Sequence, residues 1–383
     1  MSNEIYYGRG NHDQYDEYMD LINHVFSDNN DRYFQDLLPK LYKPELDPAY
    51  NAFVAIEDGK MIAGIGDFPC EMKICGKTVK GAGIGNVAVH REHRKRGLMI
   101  KLLNDALDDM VENGVDISFL GGMRQRYNYF SYDLGGATYS FHVRSKNIRY
   151  IYGDESTLKY IIEDTELDRN DDESLDAIAA LLASRPYYHV RARNNLFDIM
   201  CTWNSVPHVL KCEGKFVGYY IMHGSITEIN VIEDDYFADA VRAIISKNGE
   251  KDFHIAPFQP AYIKVLEPLA DGYSVQSNAL YTVLCFKRVI DAFLTLKTTY
   301  ANLVDGKLNV LIHGRGGDEQ LSITVKDNRV SVEDTTEAPD VELTHLQAMS
   351  FFCANISAIR CKAPAVASQW FPLPLWIYNV DDV

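Results

Sequence analysis

Residues 86–103, NVAVHREHRKRGLMIKLL, join an apolar β run to an amphipathic helix through a short basic turn. Leu98, Leu102, Leu103, Leu107 and Met110 fall on one helical face, and Gly114 ends the helix. The segment VDISFL (115–120) then reads as a buried strand. A strand–helix–strand crossover makes its two strands parallel, which commits this part of the chain to a mixed α/β fold. The helix start also has a chemical consequence. Its first N–H groups lack intrahelical partners and carry partial positive charge, so they attract phosphate. Arg94, Lys95 and Arg96 add full charges, and Gly97 lets the backbone approach an anion closely. The turn has neither the GKS/T of a nucleoside-triphosphate loop nor a GxGxxG dinucleotide fingerprint. A pyrophosphate cradle of another kind is expected.

The flanking sequence supplies the rest of a first unit. Helices are expected over 12–27 and 33–42. The stretch 52–68 reads as two β runs around Asp58-Gly59, and 70–89 as further strands with a turn at Gly76-Lys77, the last being GIGNVAV (83–89). A charged stretch at 162–174 reads as a solvated helix or linker. Beyond it, 206–223 echoes 51–68, each with Gly-Lys at a turn between β runs, and 228–258 again reads strand–helix–strand. This second unit is either a degenerate copy of the first or a coincidental hairpin. Its turn, EDDYFADAV, is acidic where a phosphate loop would be basic, so it should not bind a phosphorylated cofactor. From residue 286 the texture changes to a helix (288–300), a β meander (306–334), and a strand followed by a helix (339–355). The tail 368–383, SQWFPLPLWIYNVDDV, is too apolar for a disordered end and is expected to dock.

Composition excludes several classes. A formal charge of −16 argues against nucleic acid, which needs clustered cations. No apolar run reaches the ~18–20 residues that span a bilayer, and the N-terminus lacks the basic start and apolar stretch of a secretory signal. Seven cysteines with no CxxC pair suggest reduced thiols in a cytoplasmic protein and no zinc site. His90 and His93 flank the basic turn and read as surface loop residues, with nothing to space them as metal ligands beside a carboxylate. No metal is expected.

Arg94, Gly97 and Met99 occupy the positions of the Arg/Gln-x-x-Gly-x-Gly/Ala signature of GNAT acetyltransferases, Met99 replacing the usual small residue. Downstream, Tyr127, Phe130, Ser131 and Tyr132 resemble that family's Y-x-x-F-G-Y/F, with Ser131 in place of glycine. The whole layout resembles the Eis (enhanced intracellular survival) family within the GNAT superfamily. That resemblance implies a catalytic GNAT domain (1–150), a degenerate GNAT-like domain (151–285) and a sterol-carrier-protein-like domain ending in the tail (286–383). It implies acetyl-CoA as cosubstrate and a primary amine as acceptor, either a small polyamine or aminoglycoside-like molecule or a lysine. It also implies a homo-oligomer, hexameric in relatives.

The resemblance also assigns roles. Tyr127 would protonate the departing coenzyme A thiolate, and the terminal carboxylate of Val383 would act as base, with Asp381 and Asp382 as rival carboxylates. The cofactor would be held by Val87, Ala88 and Val89 on the strand, by the turn and helix start Arg94, Lys95, Arg96, Gly97, Leu98, Met99 and Ile100, and by Gly122 and Met123. Two alternatives stay open. Tandem GNAT units also occur in N-myristoyltransferases and in aminoacyl transferases of cell-wall synthesis. A sterol-carrier-like end would also suit a non-enzymatic acyl-CoA or lipid-binding module.

Overall fold

The computed structural model describes residues 4–27, 33–153 and 157–383. The first unit begins with β1 (Tyr6–Arg9), α1 (Tyr15–Phe26) and the short α2 (Phe34–Leu37). It continues through the antiparallel β2 (Ala52–Glu57), β3 (Lys60–Ile74) and β4 (Lys77–Val89). The basic turn leads into α3 (Leu98–Glu112), whose buried face is Leu98, Leu102, Leu103, Ala106, Leu107 and Met110, as the apolar spacing predicts. Then follow β5 (Ile117–Leu120), α4 (Arg124–Tyr127) and β6 (Asp133–Gly135). β5 lies parallel to β4, as the crossover requires.

The helix expected over 33–42 is only one turn long. The break expected near residue 69 is absent, and β3 runs straight through Pro69. On the outer edge of β3, β2 pairs as far as Gly66 and another strand only from Met72. No ladder partner there needs the N–H that proline lacks.

The second unit contains β7 (Thr138–Val143), α5 (Ser145–Tyr152), β8 (Ile162–Glu166), α6 (Asp172–Ala183), β9 (Tyr187–His189) and α7 (Leu196–Met200). The antiparallel β10 (Val206–Cys212), β11 (Lys215–His223) and β12 (Ser225–Val231) come next. The crossover through α8 (Phe237–Asn248) to β13 (Lys251–Ile255) is again parallel. The unit closes with α9 (Pro260–Leu266), β14 (Ala270–Gln276) and β15 (Ala279–Val283). The charged stretch at 162–174 is therefore no linker. It supplies β8, an edge strand whose solvent side accepts charge, and the start of α6, capped by Asp171. The third unit has α10 (Phe286–Thr298), β16 (Gly306–Gly314), β17 (Gly317–Lys326), β18 (Arg329–Asp334), β19 (Val341–Thr344), α11 (His345–Cys353) and α12 (Ala365–Trp370).

Three sheets result, with strand orders β1-β2-β3-β4-β5-β15-β6 (β9 on β3), β14-β7-β13-β12-β11-β10-β8, and β18-β17-β16-β19. The first two exchange strands across the divisions at 150 and 285. β7 enters the second sheet, while β15 returns to sit between β5 and β6 of the first. After α12 the tail runs through the largest core cluster of the described residues. Trp370, Phe371, Leu373, Leu375, Trp376, Ile377, Tyr378 and Val380 are buried there beside residues of all three sheets.

Candidate functional site

The site forms where two parallel strands part. β4 and β5 pair only from Gly81–Ile117 to Gly83–Phe119. Past that point β4 is held by β3 alone, and a bulge at Asn86, with φ of 46°, turns the strand away. Among the described residues, the β5-facing edge of Val87, Ala88 and Val89 has no ladder partner. An extended ligand can add to such an edge through main-chain hydrogen bonds.

The basic turn lies at the open end of this splay. Gly97 is the N-cap of α3 with φ of 78°, in the left-handed region that disfavours a side chain, and no side chain caps the helix. The N–H groups of Leu98, Met99 and Ile100 therefore precede the first intrahelical bond, Lys101 to Gly97 at 3.1 Å. The side chain of Leu98 is in the core, so only its main chain faces the turn. Arg94 and Lys95 are exposed, and Arg94 reaches no closer than 3.5 Å to the Val89 carbonyl. Arg96 differs, because both its Nη atoms bind Glu57 at 2.8 and 2.7 Å. Of the three cations of the turn, Arg94 and Lys95 face outward without a strong partner among the described residues.

The histidines correct one expectation. His90, Glu92 and His93 bring a ligand atom each within 4.8 Å of one another, so a carboxylate does stand beside them. Arg96 lies 2.7 Å from the His93 Nδ1, and Arg91, Arg94 and Lys95 flank the group in sequence. The Arg96 guanidinium beside His93 weighs against a divalent cation there.

Tyr127 ends α4 and is 5% exposed. Burial raises its pKa above the ordinary phenol value, opposed in part by the neighbouring Arg126. Its ring lies under Gly122, where a Cβ would come within 2.7 Å of it, so a side chain at 122 would displace the phenol. Ser131 stands in the left-handed region with φ of 63°, which explains why a glycine suits that position. The ring of Tyr132 meets Tyr127 edge-on at 6.3 Å. Its hydroxyl shares a hydrogen bond with Ser118 Oγ at 2.7 Å, and Ser118 donates to the Ala82 carbonyl at 2.8 Å. The phenol is thus braced against both strands of the splay. Met123 and Ile100 are exposed at its rim.

The terminal residue lies in the same place. Gly81, Gly83 and Gly85 repeat at strand period and bare one face of β4. A Cβ on Gly83 would stand 2.6 Å from Val383 Cγ2, and one on Gly85 would stand 3.4 Å from the Val383 carboxyl carbon and 3.3 Å from the Tyr42 hydroxyl. Among the described residues, the buried Tyr18 hydroxyl finds no hydrogen-bond partner, and the buried Tyr42 hydroxyl and Asn86 Nδ2 have at most each other. Such groups are costly unless a ligand or water completes them. The rival carboxylates are otherwise engaged. Asp381 takes two hydrogen bonds from Arg191 at 2.9 Å; burial alone would raise its pKa, but Arg191 outweighs that and holds it at about 2. Asp382 is half-buried, accepts from the Val383 N–H at 3.0 Å, and has its pKa pushed up by desolvation.

Lys40, Arg191, Glu228 and the glycine stripe all converge on the tail, and sequence reasoning did not single them out. The stripe was readable, since glycine every second residue inside a strand marks a close approach of another backbone. Lys40 and Arg191 carried no local signal, because the tail atoms that they bind are 340 and 190 positions away.

Residues 7–135 match the family profile described as an acetyltransferase (GNAT) domain. No curated protein matches the chain. Solved structures match over its full length. A GCN5-related N-acetyltransferase from Kribbella flavida has 16% identity and a TM-score of 0.66, covering 100% of this chain and 99% of that one. A GCN5-related N-acetyltransferase from Anabaena variabilis has 12% identity and a TM-score of 0.68, covering 99% and 100%. Eis1 from Mycobacterium abscessus has 12% identity and a TM-score of 0.63, covering 98% of each chain. Among the described residues no helix is long and apolar enough to cross a membrane. The chain thus shares, from end to end, the mixed α/β fold of these GNAT proteins.

Proposed function

We propose that this chain is an N-acyltransferase that moves an acetyl group from acetyl-CoA to a primary amine by direct transfer. The observation that carries the reading is the meeting, in one splay, of an uncapped basic helix start, an unpaired strand edge, a buried phenol and the chain's own terminal carboxylate. Arg94, Lys95 and the N–H groups of Gly97 to Ile100 would receive the pyrophosphate. The edge of Val87 to Val89 would pair with the pantetheine arm, leaving main-chain N–H groups to polarise the thioester carbonyl. Gly122 and Met123 would bound the arm on its other side.

The amine loses a proton to the Val383 carboxylate and attacks the thioester carbon, forming the C–N bond. Collapse of the tetrahedral intermediate breaks the C–S bond, and Tyr127 protonates the leaving thiolate. Holding amine and thioester together supplies much of the rate. The raised pKa of Tyr127 keeps the phenol protonated at neutral pH, as an acid must be. Under the same reading, 151–285 is a degenerate GNAT-like domain and 286–383 a sterol-carrier-like domain. The protein would be cytoplasmic and homo-oligomeric.

The test is to incubate purified protein with acetyl-CoA and a panel of polyamines, aminoglycosides and lysine peptides, reading free thiol and product mass. Thiol release that requires an amine, with an acceptor gaining one acetyl group, is the expected result. Tight acetyl-CoA binding without turnover on any amine would instead identify a binding module.

A further inference from the structure

The tail is anchored twice, and the two anchors differ in kind. Trp370 to Tyr378 is an apolar plug in the main core. The last four residues, Val380 to Val383, are held by charged groups. Lys40 Nζ donates to the Val380 carbonyl at 2.6 Å and to the Asp382 carbonyl at 2.7 Å. Arg191 donates to Asp381 at 2.9 Å twice and to Glu228 at 3.0 and 2.8 Å, with Tyr219 donating to Glu228 at 2.5 Å. These side chains are almost fully buried, at 3% exposure for Arg191, 1% for Glu228 and 7% for Asp381. Lys40 comes from the turn after α2, Arg191 from just beyond β9, and Tyr219 and Glu228 from β11 and β12.

Burying four charges is a poor way to hold a tail down. Ion pairs of this kind often lose to an apolar replacement in stability, because desolvation offsets their attraction. The plug already fixes the tail. What the charged clamp adds is position: hydrogen bonds to two main-chain carbonyls and one side chain fix the final turn, whose Asp381 and Asp382 N–H groups both donate to the Tyr378 carbonyl, at 2.9 and 3.2 Å. A reacting carboxylate has to be held to within about 0.5 Å.

We propose that Lys40 and the Arg191–Glu228–Asp381 cluster are positioning residues that aim the terminal carboxylate at the acceptor amine, which makes the second sheet part of the active-site machinery of the first. The inference rests on Val383 acting as base. Besides Lys40, the titratable and charged groups around the terminus include Asp381, Asp382, Arg191, Glu228, His189, Cys70, Tyr18, Tyr42, Tyr187, Tyr281 and Tyr378.

The full-length protein tests it with Lys40→Met, which keeps the stem and removes the charge, and Lys40→Arg, which keeps a donor. Asp381→Asn, unchanged in volume, is the second lesion should Lys40→Met fail to fold. Hydrogen exchange at the Asp381 and Asp382 amides needs no acceptor. Lys40→Met should speed it by at least about tenfold while Tm changes little, and Lys40→Arg should restore much of the protection. With acetyl-CoA and spermidine, Lys40→Met should lower kcat on the order of 10- to 100-fold at unchanged acetyl-CoA affinity. Lys40 stands within Coulombic reach of Asp381 and Asp382 and binds the carbonyl that precedes Val383, so removing its charge raises the proton affinity of carboxylates at the tail's end, and the acidic limb of kcat/KM should move up on the order of one pH unit. Wild-type exchange together with a wild-type pH profile in both lesions would overturn the proposal. Extending the chain by a few residues past Val383 separates the two readings. If the extended protein keeps full activity, the base is another group, while the exchange result still decides whether the clamp sets the tail's position.

Discussion

The molecule contains two strand–helix–strand crossovers of the same design that have been finished differently. In β4–α3–β5 the helix start is left open: Gly97 caps nothing, Arg94 and Lys95 point outward, and the strand edge past Gly85 is free. In β12–α8–β13 no side chain caps the helix either, but the turn and the strand end are finished differently. The turn before α8 carries Glu233, Asp234 and Asp235, so carboxylates already sit on the positive end of the helix. Asp239 in the first turn accepts from the Lys159 and Tyr160 N–H groups at 3.1 and 2.9 Å. The strand's end is closed as well, since the Val231 N–H donates to the Tyr262 hydroxyl at 3.0 Å and Tyr262 stacks on Phe237 at 3.9 Å. A crossover invites an anion only where its turn is not already acidic and its strand edge is left open. That is a property of a few residues, and the fold permits either outcome.

The largest expected break in this contrast is at Tyr127. Tyr127→Phe removes the acid and keeps the ring that packs under Gly122. Turnover should fall ~10²- to 10⁴-fold with acetyl-CoA affinity unchanged. Steady-state kinetics beside calorimetric binding would check it, and a rise in KM at constant kcat would make Tyr127 a packing residue. Next comes the open turn. Arg94→Glu with Lys95→Glu should weaken acetyl-CoA by on the order of 10²-fold or more, since each charge-assisted contact contributes about 1.5–3 kcal/mol. Arg96→Ala should cost only a few-fold, because that guanidinium already serves Glu57. Equal losses for Arg96 and Arg94 would mean that the Glu57 pair opens when cofactor binds.

The glycine stripe gives a smaller and more local effect. In Gly83→Ala the new methyl meets Val383 Cγ2 at 2.6 Å and Phe119 at 3.0 Å. Overpacking of that kind costs about 1–3 kcal/mol. Tm should drop by several degrees and turnover should fall as the terminus is pushed from its seat. Val383→Ala removes both crowding methyl groups and keeps the carboxylate, so the double variant should recover much of what Gly83→Ala loses. Thermal melts and thiol-release rates on the four proteins of that cycle measure it. Additive losses would show that the tail does not rest on Gly83.

These residues also mark what the sequence makes legible. The α3 face, the parallel crossover and the β meander at 306–334 follow from local period, because each is set by residues a few positions apart. The docked tail follows from composition alone. The strand exchange between the first two sheets left no such trace. Neither β7 nor β15 was singled out as a strand, and which sheet each joins is decided by residues more than a hundred positions distant. The same holds at the site. Gly97 and Tyr127 each belong to a short contiguous motif and were visible, whereas Lys40 and Arg191 are ordinary until the tail arrives beside them. The pairing of Arg96 with Glu57 was hidden for the same reason.

The smallest expected effect is the most direct test of the opening contrast. Asp234→Lys with Asp235→Lys gives the second crossover a basic turn resembling that of the first. If charge at the turn were sufficient, a second acetyl-CoA would bind. It should not, because the Val231 N–H stays committed to Tyr262, and Tyr262 occupies the space beside Phe237. Calorimetry should return one site per chain with unchanged affinity. Stability should change little, since the substitution breaks chiefly the exposed, solvent-screened Asp235–Lys159 ion pair at 2.6 Å and alters the charge at an exposed helix end. A second site in this variant would show that the two crossovers differ by charge alone. Adding Tyr262→Ala to the same variant then separates the remaining causes: a second site that opens only in the triple variant would assign the difference to the closed strand edge.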